Sequence, residues 1–381
     1  MKILFLVSSM QGGGAERVAA LLANAWAEQG NDVELVPTFS MHAECVYALN
    51  DAVKLTFLFD LVKGKKGRMA RLSALRLLIR AERPDVILSF LPHVNCAAIL
   101  AAWRLDVPVI ACERIYPPLY EHLLPRSYRI LRGLLYRFAT ALVGQTKPAS
   151  QWLRARGGKA IIATIPNPVV LPLPAASPHL ASDAILPSGR KLLLWAGRLE
   201  DQKRPELLIE AIGHLDGLPP DWHIVLLGEG SLRPKLEEMI AARGLSDQIT
   251  LPGFAGNLGD WYRRADLFVM TSSFEGFPNA LLEAMAHGVA SIAFDVPTGP
   301  AELSDDGKRL FLLPDDRQVS RLAEALQSLI SVPDRRVDLA TDAALTAETY
   351  SLETILRQWD DLFEAAIDRM PSHGDRSRSS S

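Results

Sequence analysis

The sequence predicts an α/β protein built from two Rossmann-like, doubly wound parallel-sheet domains in series. Three observations carry that expectation. Short β-branched and apolar runs alternate with helical patterns along nearly the whole chain, the order expected of parallel strands covered by helices on both faces. The alternation pauses once, in a Pro-rich stretch, and then restarts. A chain of 381 residues also exceeds one ordinary domain and suits two of about 150–200 residues each.

The first half supplies six strand candidates, 2–7, 32–37, 53–59, 85–90, 107–112 and 139–144, with amphipathic helical patterns such as 15–29 and 68–82 between them. Residues 166–189 then hold six prolines, at 166, 168, 172, 174, 178 and 187, and few charges, which reads as a linker. Beyond it the pattern resumes with strand 191–196, helix 204–215, strand 223–227 and helix 232–243. Strands 249–251 and 267–270, helix 279–287 and strand 289–294 follow. A last amphipathic segment, 352–370, is long enough to pack back across both domains. The expected organisation is a first domain over 1–170, a linker over 171–189 and a second domain over 190–350. A closing helix over 351–370 and a disordered Ser/Arg-rich tail over 371–381 complete it. Two open sheets in series leave a cleft, and ligands of such sheets sit outside the carboxyl ends of the strands.

Composition narrows the class. Hydrophobic residues make up 49% and charged ones 22%, a globular balance. Cys45, Cys96 and Cys112 stand in no metal-ligand spacing, and reduced, buried thiols are expected, as in a cytosolic protein. The run 2–7 is too short for a signal peptide, and nowhere do about 18 uncharged apolar residues follow one another. A soluble or peripheral protein is therefore expected. The net charge of −3 conceals an asymmetry: residues 1–170 carry 21 Lys+Arg and 12 Asp+Glu, or +9, while residues 171–381 carry 20 and 32, or −12. A basic half joined to an acidic half suggests that one of them faces an anionic surface.

Three motifs carry chemistry. The first, Ser8-Ser9-Met10-Gln11-Gly12-Gly13-Gly14-Ala15-Glu16-Arg17, follows the first strand and opens a helix. Glycines let backbone N–H groups approach a phosphate, and a helix start favours negative charge. The spacing is not Gly-x-Gly-x-x-Gly and no acidic residue ends the second strand, which weighs against NAD. A plain strand–helix turn stays open beside the phosphate-loop reading. In the second motif, Gly197-Arg198-Leu199-Glu200-Asp201-Gln202-Lys203, a strand ends at a glycine and two cations precede a helix. Arg198 can clamp a diphosphate by its planar fork and Lys203 adds a point charge, although a solvated charged loop would look the same. The third and most specific motif is Glu275-Gly276-Phe277-Pro278-Asn279-Ala280-Leu281-Leu282-Glu283. Gly276 lets the backbone turn and Pro278 suits a helix start. Glu275 then lies in a loop and Glu283 two turns into an apolar helix, where it is costly to bury unless partnered. A solvated helix face is the alternative.

With these residues in hand, the chain resembles glycosyltransferase family 4 over nearly its whole length. The Glu275-x7-Glu283 pair in its Glu-Gly-Phe-Pro setting, Gly197-Arg198 with Lys203, and the Gly-Gly-Ala-Glu-Arg start occur in the family's order and at its distances. The resemblance implies a GT-B fold, retention of anomeric configuration, a nucleotide diphosphate sugar as donor and no further cofactor. It implies that the second domain binds the donor and the first the acceptor. Arg198, Lys203 and Glu275 would then be catalytic, the two cations balancing charge on the leaving diphosphate and Glu275 meeting the donor sugar's hydroxyls. Glu283 would bind the ribose, and Gly197, Gly276, Phe277, Pro278 and Asn279 would line the donor. Gly13 and Gly14 would approach its phosphates.

Two points qualify the match. Many members have a Glu-His pair after a first-domain strand, the His contacting the donor sugar. Here the corresponding place reads Glu113-Arg114, and a guanidinium is no general base at neutral pH. His93 also follows a strand and could face the cleft, a capping or packing residue being the favoured reading. No Asp-x-Asp occurs in the chain, so a metal-independent transfer is expected, with cations and helix dipoles stabilising the leaving group.

The acceptor side is basic. Lys63, Lys65, Lys66, Arg68, Arg71, Arg76, Arg80 and Arg83 are opposed only by Glu82, with Leu72, Leu75, Leu78 and Ile79 at helical spacing. Arg126, Arg129, Arg132 and Arg137 form a second such segment. Basic amphipathic helices suit an anionic membrane surface, and Lys65, Lys66, Arg68, Arg71, Arg126 and Arg129 are the candidates for it; ordinary solvated helix faces remain open. Nucleic acid is not expected, because stacking aromatics are not interleaved. The Gly-Gly-Ala-Glu-Arg and Ser-Phe-Leu…Asn segments are most similar to bacterial transferases extending polyprenyl-diphosphate-linked glycans, including the N-acetylgalactosamine transferases of N-glycosylation. That implies a lipid-linked glycan acceptor and a place on the cytoplasmic face of the membrane. A nucleotide-sugar epimerase on the same fold, a soluble-acceptor transferase and a non-catalytic sugar-nucleotide-binding scaffold are the alternatives.

Overall fold

The computed structural model describes residues 1–11, 13–39, 45–62, 67–121, 124–215 and 217–370. The chain falls into two compact units: Met1–Asn167 together with the residues from Ile355 on, and Pro168–Thr354. Gly12, Lys63, Lys65, Lys66 and the tail 371–381 lie outside the described residues.

In the first unit the strands are β1 (Lys2–Val7), β2 (Asp32–Pro37), β3 (Val53–Leu55), β4 (Val86–Phe90), β5 (Val109–Cys112), β6 (Ala141–Gly144) and β7 (Ile161–Thr164). They form one parallel sheet in the order β3-β2-β1-β4-β5-β6-β7. The central strands are buried along their length, save Lys2 at the start of β1, as expected where helices cover both faces. In the second unit β8 (Lys191–Ala196), β9 (Trp222–Leu227), β10 (Ile249–Gly253), β11 (Leu267–Met270), β12 (Ser291–Phe294) and β13 (Phe311–Leu313) form a second parallel sheet, ordered β10-β9-β8-β11-β12-β13. The α/β class and the two doubly wound sheets are as expected.

The differences have physical reasons. Expected strand 53–59 stops at Leu55, because Leu58 turns inward and starts the short helix Leu58–Leu61. β7 and β13 were not foreseen; each is a terminal strand of three or four residues with little alternation to read. The helix Pro92–Ala101 was missed because it is buried almost all round and lacks a polar face.

The expected linker 171–189 is instead part of the second unit. Leu173, Leu180, Ile185 and Leu186 pack into the core around Trp261 and Phe268. The Ala176 N–H donates to the Gly256 carbonyl at 2.9 Å, and the Gly256 N–H donates to the Pro178 carbonyl at 2.7 Å. A Cβ at Gly256 would stand 1.9 Å from the Ala176 oxygen, so the strap needs glycine there. Prolines remove donors without preventing carbonyls and leucines from docking.

The closing helix Leu352–Asp368 buries Trp359 and Phe363, and from Ile355 on it belongs to the first unit. Their rings lie 6.1 and 5.2 Å from that of Trp26, which in turn meets Phe5, itself edge-on to Phe90 at 4.7 Å.

Candidate active site

In the second unit the strand order reverses between β8 and β11, which are hydrogen-bonded neighbours. Such a switch point opens a crevice at the carboxyl ends, because the two loops leave the sheet towards opposite faces. The loop after β8 carries Gly197, Arg198 and Lys203, and the loop after β11 carries Glu275. The sequence separates Lys203 and Glu275 by 72 residues, and the fold brings Lys203 Nζ to 2.5 Å from Glu275 Oε1. Both side chains are largely buried, at 22% and 7% exposure, so water screens the pair little. Trp195, Ser272, Pro278 and Asn279 line a small cavity beside them.

Backbone and side chains hold these loops in register. The Thr271 hydroxyl donates to the Lys203 carbonyl at 2.7 Å and accepts from the Trp195 indole at 3.0 Å. Gln202 Nε2 donates to the Phe274 carbonyl, and the Ser273 N–H and hydroxyl both donate to the Gln202 carbonyl. Thr298 donates to the Glu275 carbonyl. Beneath the Arg198 loop, a Cβ at Gly228 would stand 1.8 Å from the Gly197 oxygen, and one at Gly230 would stand 2.3 Å from the Leu199 oxygen. The two loops touch only because both positions lack a side chain. Sequence reading missed Gln202, Thr271, Thr298, Gly228 and Gly230; Gly-Glu-Gly directly after the strand 223–227 was the signal available.

Arg198 is exposed, with one Nη 3.4 Å from Gln202 Oε1. Glu283 is 5% exposed and takes a hydrogen bond from the Tyr262 hydroxyl at 3.3 Å, so the solvated-face alternative does not hold for it. The Phe277 side chain is core, 5.9 Å from the Tyr350 ring, leaving only its backbone for a ligand. Pro278 immediately precedes the helix Asn279–Ala286.

The first unit reverses its strand order between β1 and β4. There His93, in the first turn of the helix Pro92–Ala101, has Nε2 3.0 Å from the Ser8 hydroxyl. Burial pushes its pKa below the usual histidine value, and its ring stands edge-on to Phe39. Gly13 precedes the helix Gly14–Glu28 with φ +154, and the Glu16 carboxylate folds back so that a Cβ on Gly13 would meet it at 2.3 Å. That carboxylate also accepts from Ser9, and the Gly13 N–H donates to the Tyr47 hydroxyl at 2.7 Å. The phosphate expected at this helix start thus meets a site that the protein itself fills with negative charge.

Of the basic candidates, Arg68 stacks 5.5 Å over Tyr128 and Arg71 5.5 Å over Phe39, while Arg126 is exposed. Arg132 is not a surface cation. It is 2% exposed, pairs with Glu121 at 2.7 Å and lies over Trp152. Arg76 is likewise tied to the Ala101 and Trp103 carbonyls. Exposed apolar residues accompany the remaining cations: Met69 and Leu77 on the helix Arg68–Glu82, and Ile130 and Leu134 on the helix Arg126–Leu135. Among the described residues no helix is long and apolar enough to cross a membrane.

Comparison with known proteins agrees with this architecture. Residues 13–168 match a glycosyl transferase 4-like domain and residues 181–345 match glycosyl transferases group 1. A Campylobacter jejuni α-1,4-N-acetyl-D-galactosaminyltransferase, named for an undecaprenol-diphosphate-linked GalNAc glycan, is 28% identical over 94% of this chain and 97% of its own. The amylovoran biosynthesis glycosyltransferase AmsD of Erwinia amylovora is 25% identical over 95% of this chain and 99% of its own. Among solved structures, Anabaena HepE in complex with UDP and glucose superposes with a TM-score of 0.74 at 21% identity, covering 96% of this chain and 100% of that one. Sucrose-phosphate synthase from Thermosynechococcus elongatus does so with a TM-score of 0.79 at 18% identity, covering 96% and 98%. With a 4-like domain on the first parallel sheet and a group 1 domain on the second, the chain belongs to the GT-B glycosyltransferases.

Proposed function

We propose that the protein is a family 4, retaining glycosyltransferase moving a hexose or N-acetylhexosamine from a nucleotide diphosphate sugar, UDP-linked, to a polyprenyl-diphosphate-linked glycan at a membrane surface. The observation that carries the reading is the Lys203–Glu275 pair at the β8/β11 switch point, with Arg198 on the same loop as Lys203. As the bond from the anomeric carbon to the diphosphate breaks, charge grows on the leaving oxygens. The fork of Arg198 and the ammonium of Lys203 meet that charge, already placed before the reaction starts. Glu275 holds Lys203 in position and offers carboxylate oxygen to a donor-sugar hydroxyl, while Glu283 meets the ribose. Side-chain cations supply the charge balance, so no divalent metal is required.

The name of the Campylobacter relative supports the choice of acceptor, and the UDP complexes of the structural neighbours support the choice of nucleotide. The exposed cations and apolar residues on the helices Arg68–Glu82 and Arg126–Leu135 support a peripheral place on the anionic, cytoplasmic face of the membrane. The test is mass spectrometry of purified enzyme given UDP- and GDP-sugars with a short-chain polyprenyl-diphosphate glycan, followed by NMR of the new linkage. Sugar added in the donor's own anomeric configuration is expected. No product from any lipid-linked acceptor, or an inverted linkage, overturns the reading.

A further inference from the structure

The ends of β4, β5, β6 and β7 bring together a second charged site that the donor machinery does not use. Arg114, two residues beyond β5, is 6% exposed, and its guanidinium lies 4.1 Å over the ring of Phe90 at the end of β4. One Nη donates to Asn167 Oδ1, beyond β7. Gln145, directly after β6, is within hydrogen-bond reach of Asn167 and of the Arg114 main-chain carbonyl. Arg114 Nε has no hydrogen-bond acceptor among the described residues. No carboxylate pairs with Arg114 among the described residues. Its neighbour Glu113 is engaged elsewhere, accepting from the Tyr136 hydroxyl at 2.5 Å and facing Arg132 at 3.4 Å.

A buried cation matched only by amides and a ring face is expensive to keep, and a neutral amide in its place carries no such desolvation cost. Burial pulls its pKa down to about 10, which leaves it charged at neutral pH. It stands at the carboxyl edge of the sheet, the edge where ligands of such folds bind, and a planar guanidinium suits a phosphoryl group.

We propose that Arg114, positioned by Asn167 and Gln145, binds a phosphoryl oxyanion of a substrate, as a cation distinct from those of the Arg198–Lys203 clamp. Two sources share that chemistry: the diphosphate of the lipid-linked acceptor and the diphosphate of the donor. The choice between them rests on the transferase reading, whereas the anion site does not.

Calorimetric titration with inorganic diphosphate tests the site without turnover. In an Arg198→Ala/Lys203→Ala protein, residual diphosphate binding is expected, and adding Arg114→Gln should weaken it at least tenfold. Residual binding that ignores Arg114, or none at all in the clamp-less protein, overturns the proposal. Binding in the clamp-less protein equal to wild type would instead count against the clamp. Thermal unfolding guards against a merely structural role: Arg114→Gln should unfold no lower than wild type in the absence of ligand, and a large drop with unchanged diphosphate affinity overturns the proposal. In the otherwise wild-type enzyme, Arg114→Gln raising KM for the lipid-linked acceptor alone assigns the anion to the acceptor. A rise in KM for the donor alone assigns it to the donor, and no change in either overturns the site.

Discussion

The same topological event occurs once in each sheet, and the two instances carry different chemistry. At the β1/β4 reversal the facing groups are the Ser8 hydroxyl and the His93 imidazole, 3.0 Å apart, with burial keeping the imidazole neutral near pH 7. At the β8/β11 reversal they are an ammonium and a carboxylate 2.5 Å apart, with an exposed guanidinium on the same loop as the ammonium. Strand order creates a crevice in both places; the loops alone decide its charge. A nucleotide diphosphate is thus better matched at the second reversal than at the first, where Glu16 already covers the glycine turn.

The largest expected effect breaks the charged reversal. Arg198→Ala should lower transfer by roughly 10²-fold or more, the scale of losing a transition-state charge partner. Full activity in the purified variant would remove the second reversal's claim to the chemistry.

A smaller effect tests the cations that flank the neutral reversal. Replacing Arg68, Arg71, Arg126 and Arg129 by Gln should weaken co-sedimentation with anionic vesicles, since each cation near a membrane contributes on the order of 1 kcal/mol. KM for lipid-linked acceptor should rise about tenfold, while nucleotide affinity stays unchanged; the binding should fade with salt as charges are screened over about 8 Å. No vesicle binding at any salt would leave these helices as ordinary solvated faces.

Smaller still is a change in pH dependence at the neutral reversal itself. Burial holds the folded pKa of His93 below 6.5. A depressed histidine contributes stability that is complete above the unfolded value and is lost as pH falls through the folded one. The unfolding midpoint of wild type should therefore fall more steeply from about pH 6.5 downward than that of His93→Gln. His223 is depressed too, but it is present in both proteins. Parallel curves would show that His93 is not buried in solution as described here. The smallest expected effect is none: EDTA should leave turnover intact, and loss with rescue by Mn²⁺ or Mg²⁺ would show that side-chain cations do not suffice.

Legibility in the sequence followed the same division. The donor-side candidates could be read because each is punctuated by glycine or proline directly after an apolar strand, as in Gly197-Arg198 and Glu275-Gly276. Their meeting across 72 residues could not be read, since it depends on β11 pairing with β8 and not with β10. Arg132 shows the limit of charge counting: it sits in a basic run, yet its guanidinium is buried between Glu113, Glu121 and Trp152. The prolines of 171–189 misled in the same way, because composition reports missing donors and says nothing of the leucines docked between them. Arg114 stands out only as a departure from the Glu-His pair, Gln145 and Asn167 carry no motif, and the three become a group only when β5, β6 and β7 lie side by side.

The aromatic cluster of Trp26, Trp359 and Phe363 has a consequence for biosynthesis. A ribosome delivers the chain in order, so Trp26 leaves the exit tunnel early and waits while all of Pro168–Thr354 is made. Only then do Trp359 and Phe363 arrive to cover it. The second unit, contiguous in sequence, can close during synthesis, whereas the first cannot finish its core until the segment carrying Trp359 and Phe363 has emerged after it. A premature stop codon in the second half therefore damages both halves, and leaves a nascent protein with a buried-type tryptophan open to chaperones.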